Sequence, residues 1–136
     1  MTSVHPPHGR GSRPSIDGHV VFLYYDDLAA PAAFYGGDLG LEQTRDIGWV
    51  RFFRVGATGE VAIVKAGPDA YFAPRSGNAV MLSIVTDELD AWYRWLKANS
   101  GIRFLVDLQV HGKAPIRNFL VSDPGGYAVE FYQWIG

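Results

Sequence analysis

The chain has 136 residues, with 12 Lys and Arg against 14 Asp and Glu and no cysteine. A net charge of -2 without any basic block excludes the electrostatic footprint of a nucleic-acid or anionic-membrane binder. The lack of cysteine excludes disulfides, thiolate metal sites and a Cys nucleophile, while a 48% hydrophobic composition is enough for one buried core.

Met1 to Ser15 holds three Pro, two Gly and two His and no apolar run, so it reads as a disordered tail and not as an export signal. No stretch approaches the roughly 18 apolar residues of a membrane helix, which makes the cytoplasm the default location. Residues 16–136 read as a single domain of two halves, about 16–66 and 79–136, joined by a linker over about 67–78.

The first strand signal is His19 to Tyr25, rich in β-branched and aromatic residues. Asp27 is the expected N-cap of a short helix over Leu28 to Tyr35, closed by Gly36 and Gly37. Trp49 to Val55 and Glu60 to Lys65 read as strands on either side of a Gly56–Gly59 hairpin connection. After the Gly- and Pro-rich linker the pattern restarts. Val80 to Val85 is a strand, and Leu89 to Asn99 is a helix with Leu89, Trp92, Trp95 and Leu96 as its expected core stripe. Ile102 to Leu108, Ile116 to Val121 and Tyr127 to Trp134 are three further strands. The order is therefore β-α-β-β, with room for one more strand, then β-α-β-β-β. A shift of 61 residues lays Asp27-Leu28 on Glu88-Leu89 and Val20 to Tyr25 on Met81 to Thr86. This is a repeat of architecture, and neither half can bury both faces of its sheet alone.

Asp27-Leu28-x-x-Pro31-x-x-Phe34-Tyr35-x-x-x-Leu39-Gly40-Leu41 resembles the first-helix signature of the vicinal oxygen chelate superfamily. Asp123-Pro124-x-Gly126-Tyr127-x-x-Glu130-Phe131 resembles its final hairpin. That superfamily includes glyoxalase I, extradiol dioxygenases, and fosfomycin- and bleomycin-resistance proteins. The resemblance implies an α+β fold of two fused βαβββ modules whose mixed sheets form a cupped half-barrel site. It also implies a homodimer, and a divalent metal held by four inward side chains, two from each module. Carried onto this chain, those four positions are Val20, Ile63, Met81 and Glu130, of which only Glu130 offers a ligand atom. One carboxylate does not hold a catalytic divalent ion against water. The expected cofactor is therefore none, with His19 and His111 as the only neighbours able to join Glu130 in a displaced metal site.

Period-two alternation turns Val20, Phe22 and Tyr24 inward, with Met81, Ser83 and Val85 from the second half. The later strands are expected to add Val61, Ile63 and Lys65, with Ala128, Glu130 and Tyr132. A mostly apolar, aromatic set with a few polar groups suits an organic ligand, and equally a packed sheet face. Two functional readings follow. One is a metal-independent small-molecule-binding protein whose ligand meets Val20, Phe22, Tyr24, Lys65, Met81, Ser83 and Tyr132. The other is a lyase, isomerase or dioxygenase using a displaced metal, or acid/base chemistry by Glu130 with Tyr24 or His111 as the complementary donor. A structural reading of Glu130 pairs it with Lys65, Arg117 or a tyrosine hydroxyl.

Overall fold

The computed structural model describes residues 13–99 and 101–136, so the reading of the first twelve residues lies outside the described part. The first module runs β1 (His19–Tyr25), α1 (Ala29–Ala32) continuing as a π-helical turn over Ala33–Asp38, β2 (Gln43–Asp46), β3 (Val50–Val55) and β4 (Gly59–Lys65). The second runs β5 (Met81–Val85), α2 (Leu89–Lys97), β6 (Arg103–Val110), β7 (Ile116–Ser122) and β8 (Ala128–Trp134). Each module forms a four-stranded mixed sheet, ordered β1-β4-β3-β2 and β5-β8-β7-β6. In both, the first strand lies parallel to the last and the remaining pairs are antiparallel. The fold is α+β, two βαβββ modules forming an open half-barrel.

Alternation divides every strand between two environments. Leu23, Tyr25, Val61 and Ile63 of the first sheet meet Phe119, Val121, Val129 and Phe131 of the second, with Phe34, Tyr35, Leu89 and Leu96 from the helical segments, in one shared core. The other face of the first sheet carries a smaller cluster, Val50, Ala62 and Val64 with Val20, Tyr24 and Phe52. The structure thus corrects the expected facing of β4. Val20 pairs with Glu60 and Phe22 with Ala62, so Val61, Ile63 and Lys65 lie on the side of Leu23 and Tyr25.

Two helix readings are also corrected. Asp27 does not cap α1, whose N-cap is Leu28 without a side-chain bond. Gly36 and Gly37 do not end the helix, because the π-helical turn carries it on to Asp38. A Cβ on Gly36 would lie 3.1 Å from the Phe53 ring, so that glycine allows the helix to approach β3. In α2, Leu89, Trp92, Tyr93 and Leu96 contribute to the core, but Trp95 is 62% exposed and its indole N–H donates to the Asp38 carbonyl. At about 100° per residue, Trp95 sits on the flank of the stripe.

The modules are tied by Asp123, a buried carboxylate in the turn before β8. Its Oδ2 accepts hydrogen bonds from the Tyr25 hydroxyl at 2.5 Å and the Tyr35 hydroxyl at 2.8 Å, both from the first module. Its Oδ1 accepts from the Gly125 and Tyr127 amides at 2.8 and 2.9 Å. Gly125 is required by the close approach, since a Cβ there would stand 2.6 Å from the Tyr25 ring. The Tyr127 hydroxyl reaches back to the main chain of Tyr24, accepting from its N–H at 3.0 Å.

Burial first, then the neighbouring phenol and carboxylate, push the Tyr25 hydroxyl far above its ordinary 10.0, and burial followed by Asp123 does the same to Tyr35. A raised folded-state pKa means the unfolded chain releases protons first as pH climbs. The stabilisation is therefore complete below pH 10 and is lost above it. Denaturant unfolding measured between pH 8 and 11 should show this alkaline loss. Tyr35→Phe should reduce it, while costing about 1–3 kcal/mol at neutral pH because Asp123 loses a buried donor.

Candidate functional site

The concave face of the second sheet carries a row of polar side chains set among apolar ones. Ser83, Glu130 and Leu120 sit side by side on β5, β8 and β7, and Asn118 lies beside Tyr132. Glu130 is 8% exposed and Asn118 is 3% exposed. The Ser83 hydroxyl donates to Glu130 Oε1 at 2.7 Å, and Asn118 Nδ2 donates to Glu130 Oε2 at 2.9 Å. Asn118 Oδ1 in turn accepts from Gln109 Nε2 at 3.2 Å. The chain runs in one direction, with Asn118 giving its amide nitrogen to Glu130 and its oxygen to the Gln109 amide. All four strands of the sheet contribute one member. Along the same face lie Met81 and Val85, both about half exposed, and Tyr132, edge-to-face with Trp134 at 5.4 Å.

The first sheet presents a different surface. Phe22 and Tyr24 of β1, Trp49, Val50 and Phe52 at β3, Val64 of β4, and Ala70 and Tyr71 of the linker wall a cavity of about 230 Å³. Phe22 meets Phe52 edge-on at 5.9 Å, and Tyr24 meets Phe72 edge-on at 5.6 Å. Phe22 remains 44% exposed. At one end of this face Thr44 donates to Glu60 at 2.6 Å. The wall is aromatic because Phe22 of β1 and Phe52 of β3 flank the small Ala62, with Tyr24 the next inward residue of β1.

These two surfaces divide the expected site residues. Val20, Phe22 and Tyr24 gather on the first sheet; Met81, Ser83, Glu130 and Tyr132 gather on the second. Lys65 belongs to neither, since it pairs with Tyr25 on the opposite side of β4. His111 is at the β6–β7 turn, where its Nδ1 accepts from the Lys113 and Ala114 amides at 3.0 and 2.9 Å and fixes the turn. Its backbone bonds to Ile116, four residues along β7 from the Glu130 partner Leu120, or roughly 13 Å at about 3.3 Å per residue. His19 lies over Gly59, across the strand from the concave face. The expected cation partners of Glu130 are also elsewhere: Arg117 forms a bidentate pair with Asp90 at 2.7 and 3.2 Å. Three contributors escaped the sequence reading, namely Asn118, Gln109 and Trp49. An asparagine inside the apolar run Ile116 to Val121 was the available signal for the first.

The family's metal does not fit this donor set. The strand pairing puts Ala62, not Ile63, at the position equivalent to Glu130, and Val20, Ala62 and Met81 offer no ligand oxygen or nitrogen. Both Glu130 oxygens already accept a hydrogen bond. Among the described residues no three His, Cys, Asp or Glu side chains come together, so Glu130, His19 and His111 do not assemble the displaced site.

A paired βαβββ fold with an acid on the inner face of its last strand defines a class of cup-shaped small-molecule and metal-binding proteins. The chain belongs to the Glyoxalase/Bleomycin resistance protein/Dioxygenase superfamily, whose sequence profile matches residues 18–131. It is similar in structure to a glyoxalase/bleomycin resistance protein/dioxygenase from Nocardioides, with 24% identity, 91% of this chain and 85% of the other covered, and a TM-score of 0.70. The corresponding protein of Alicyclobacillus acidocaldarius is 20% identical, with 88% and 92% covered and a TM-score of 0.70. A lactoylglutathione lyase from Agrobacterium tumefaciens is 22% identical, with 88% and 94% covered and a TM-score of 0.65. At these identities the likeness is one of fold. No curated protein matches the chain.

The polar row makes a prediction about stability. Asn118→Leu removes the buried donor to Glu130 and should lower the unfolding free energy by about 1–3 kcal/mol. Glu130→Gln can be met by reversing the Asn118 and Gln109 amides, and should change it by less than about 1 kcal/mol. Chemical denaturation of the two variants beside the parent checks both.

Proposed function

We propose that the protein binds an amphipathic or aromatic small molecule in its concave surface without the divalent metal usual in its superfamily. The observation that carries this is the cavity walled by Phe22, Tyr24, Trp49, Phe52 and Tyr71. Rings held edge-on to one another leave faces free to sandwich a flat ligand, and the surface is otherwise aliphatic. The linker supplies one wall, so ligand contact with Tyr71 and Phe72 would order it. No helix among the described residues is long and apolar enough to cross a membrane, and the cytoplasm is the proposed location.

A homodimer is the proposed assembly. Phe22, Met81, Val85 and Trp134 leave large apolar area exposed on both concave faces of one chain, and a second copy is the economical way to cover it. The enzymatic alternative keeps one support, the buried acid Glu130. Its two suggested proton partners are engaged elsewhere, Tyr24 on the first sheet and His111 in its turn.

Trp49 provides the assay. Naphthalene-1-methanol, a neutral planar probe, should saturably quench the part of the four tryptophans' fluorescence that Trp49→Phe removes, and raise the melting temperature. Phe52→Ala should weaken binding by about tenfold, since each aromatic contact is worth about 0.5–1.5 kcal/mol. A probe that neither quenches nor stabilises at millimolar concentration counts against the reading. Elemental analysis of protein purified without chelator should find no stoichiometric Zn, Ni, Fe or Mn. Sedimentation at tens of micromolar should give twice the 15.0 kDa chain mass.

A further inference from the structure

We infer that Glu130 is a seat for a protonated amine, so that the concave face of the second sheet takes the cationic group of an amphipathic organic ligand. The inference rests on the small-molecule reading above and narrows it. Glu130 is the one acid on the concave face of the second sheet, 8% exposed and surrounded by Met81, Leu120, Ala128 and Tyr132. A carboxylate so placed is costly unless charge or hydrogen bonds compensate it. Its two recorded partners, Ser83 and Asn118, are both neutral. Among the described residues, no Lys, Arg or His nitrogen lies within 4.0 Å of it. The ion pairs run instead between Arg51 and Asp46, Arg54 and Glu42, Lys97 and Asp107, and Arg117 and Asp90.

The geometry of those two bonds decides what remains open. Ser83 lies on the strand to one side of β8 and Asn118 on the strand to the other, so the carboxylate is held laterally, one oxygen to each neighbour. An ionised carboxylate offers about four acceptor positions. Two are used within the sheet, which leaves about two for an N–H donor from a ligand. A neutral hydroxyl would fill one of them without answering the charge; an ammonium group does both, and an anion is repelled. Tyr132 is two residues along the same face and stacks edge-on with the exposed Trp134, which gives the apolar body of the ligand an aromatic surface and its cation a second attraction. A divalent ion would need oxygen or nitrogen from Val20, Ala62 or Met81. An organic cation needs only the acid and an apolar wall, and both are present.

Two probes of the same shape test this: 1-naphthylmethylamine, charged at pH 7, and naphthalene-1-methanol, neutral. Titration calorimetry on the full chain should show the amine binding at least about tenfold more tightly than the alcohol, the difference expected of one charge-assisted hydrogen bond. In Glu130→Gln that preference should vanish, the two probes binding the variant with equal affinity. Equal affinity of the two probes for the parent protein would overturn the inference and leave the aromatic-ligand reading standing. An amine preference that persists in Glu130→Gln would also overturn it, by placing the charge recognition at another acid such as Glu60. Binding of neither probe removes the small-molecule reading and this inference with it. The comparison on the parent protein does not depend on how well the variant folds.

Discussion

A single carboxylate, Asp123, holds the two halves of this protein in register. It is buried, and its four recorded partners come from both modules: two phenols from β1 and the first helix, and two amides from its own turn. Each bond alone is of ordinary strength, but together they satisfy a carboxylate that has no cation beside it among the described residues, and all four are made only when the modules are docked. Tyr127 extends the lock by filling the free edge of β1 at Tyr24. Since Tyr24 also lines the first concave surface, the turn before β8 fixes the placement of a residue that a ligand would touch. Glu130 is only seven residues further along the same hairpin. Stability and site geometry therefore depend on one short segment, Asp123 to Glu130.

The repeat explains why the two concave faces can differ. Each sheet needs one side for the shared core, and that side is uniformly apolar: Leu23, Val61 and Ile63 in one module, Phe119, Val129 and Phe131 in the other. The concave sides lie outside that shared core, although the first still buries Val50, Ala62 and Val64. In the first module they have become aromatic around the small Ala62; in the second, the equivalent strand position holds Glu130.

Much of this was legible in the sequence because the core obeys period two and period 3.6. The strand signals of β1, β5, β7 and β8, the helix from Leu89 and the inward facing of Val20, Phe22, Tyr24, Met81, Ser83 and Glu130 all follow from alternation. Three things were not. The strand β2, Gln43–Asp46, is polar throughout and carries no periodic signal; it exists because β3 offers it an edge. In β4 four consecutive buried residues, Val61 to Val64, erase the alternation, so matching Gly59 to Gly126 put Ile63 and Lys65 on the wrong side by one residue. Trp95 illustrates the same weakness in a helix, where a large apolar residue beside the stripe was read as part of it. Its indole hydrogen bond to Asp38 instead uses the residue as a surface link between the helices.

The partners of Glu130 were hidden for a different reason. Expecting a buried acid to find a base directs attention to Lys65 and Arg117, yet a carboxylate at the centre of a sheet is more readily answered by its lateral neighbours than by a long side chain from a rim. Here the residues one strand away are a serine and an asparagine, short enough to reach it without leaving the sheet. The arrangement gives each carboxylate oxygen a neutral hydrogen-bond partner and places no Lys, Arg or His of the described residues beside it. An ion pair with Arg117 would have satisfied folding equally well and consumed the charge. Arg117 is committed to Asp90 in the first turn of α2, so the helix is pinned to the sheet by one ion pair, and the carboxylate on the other face of that sheet is met by Ser83 and Asn118 instead.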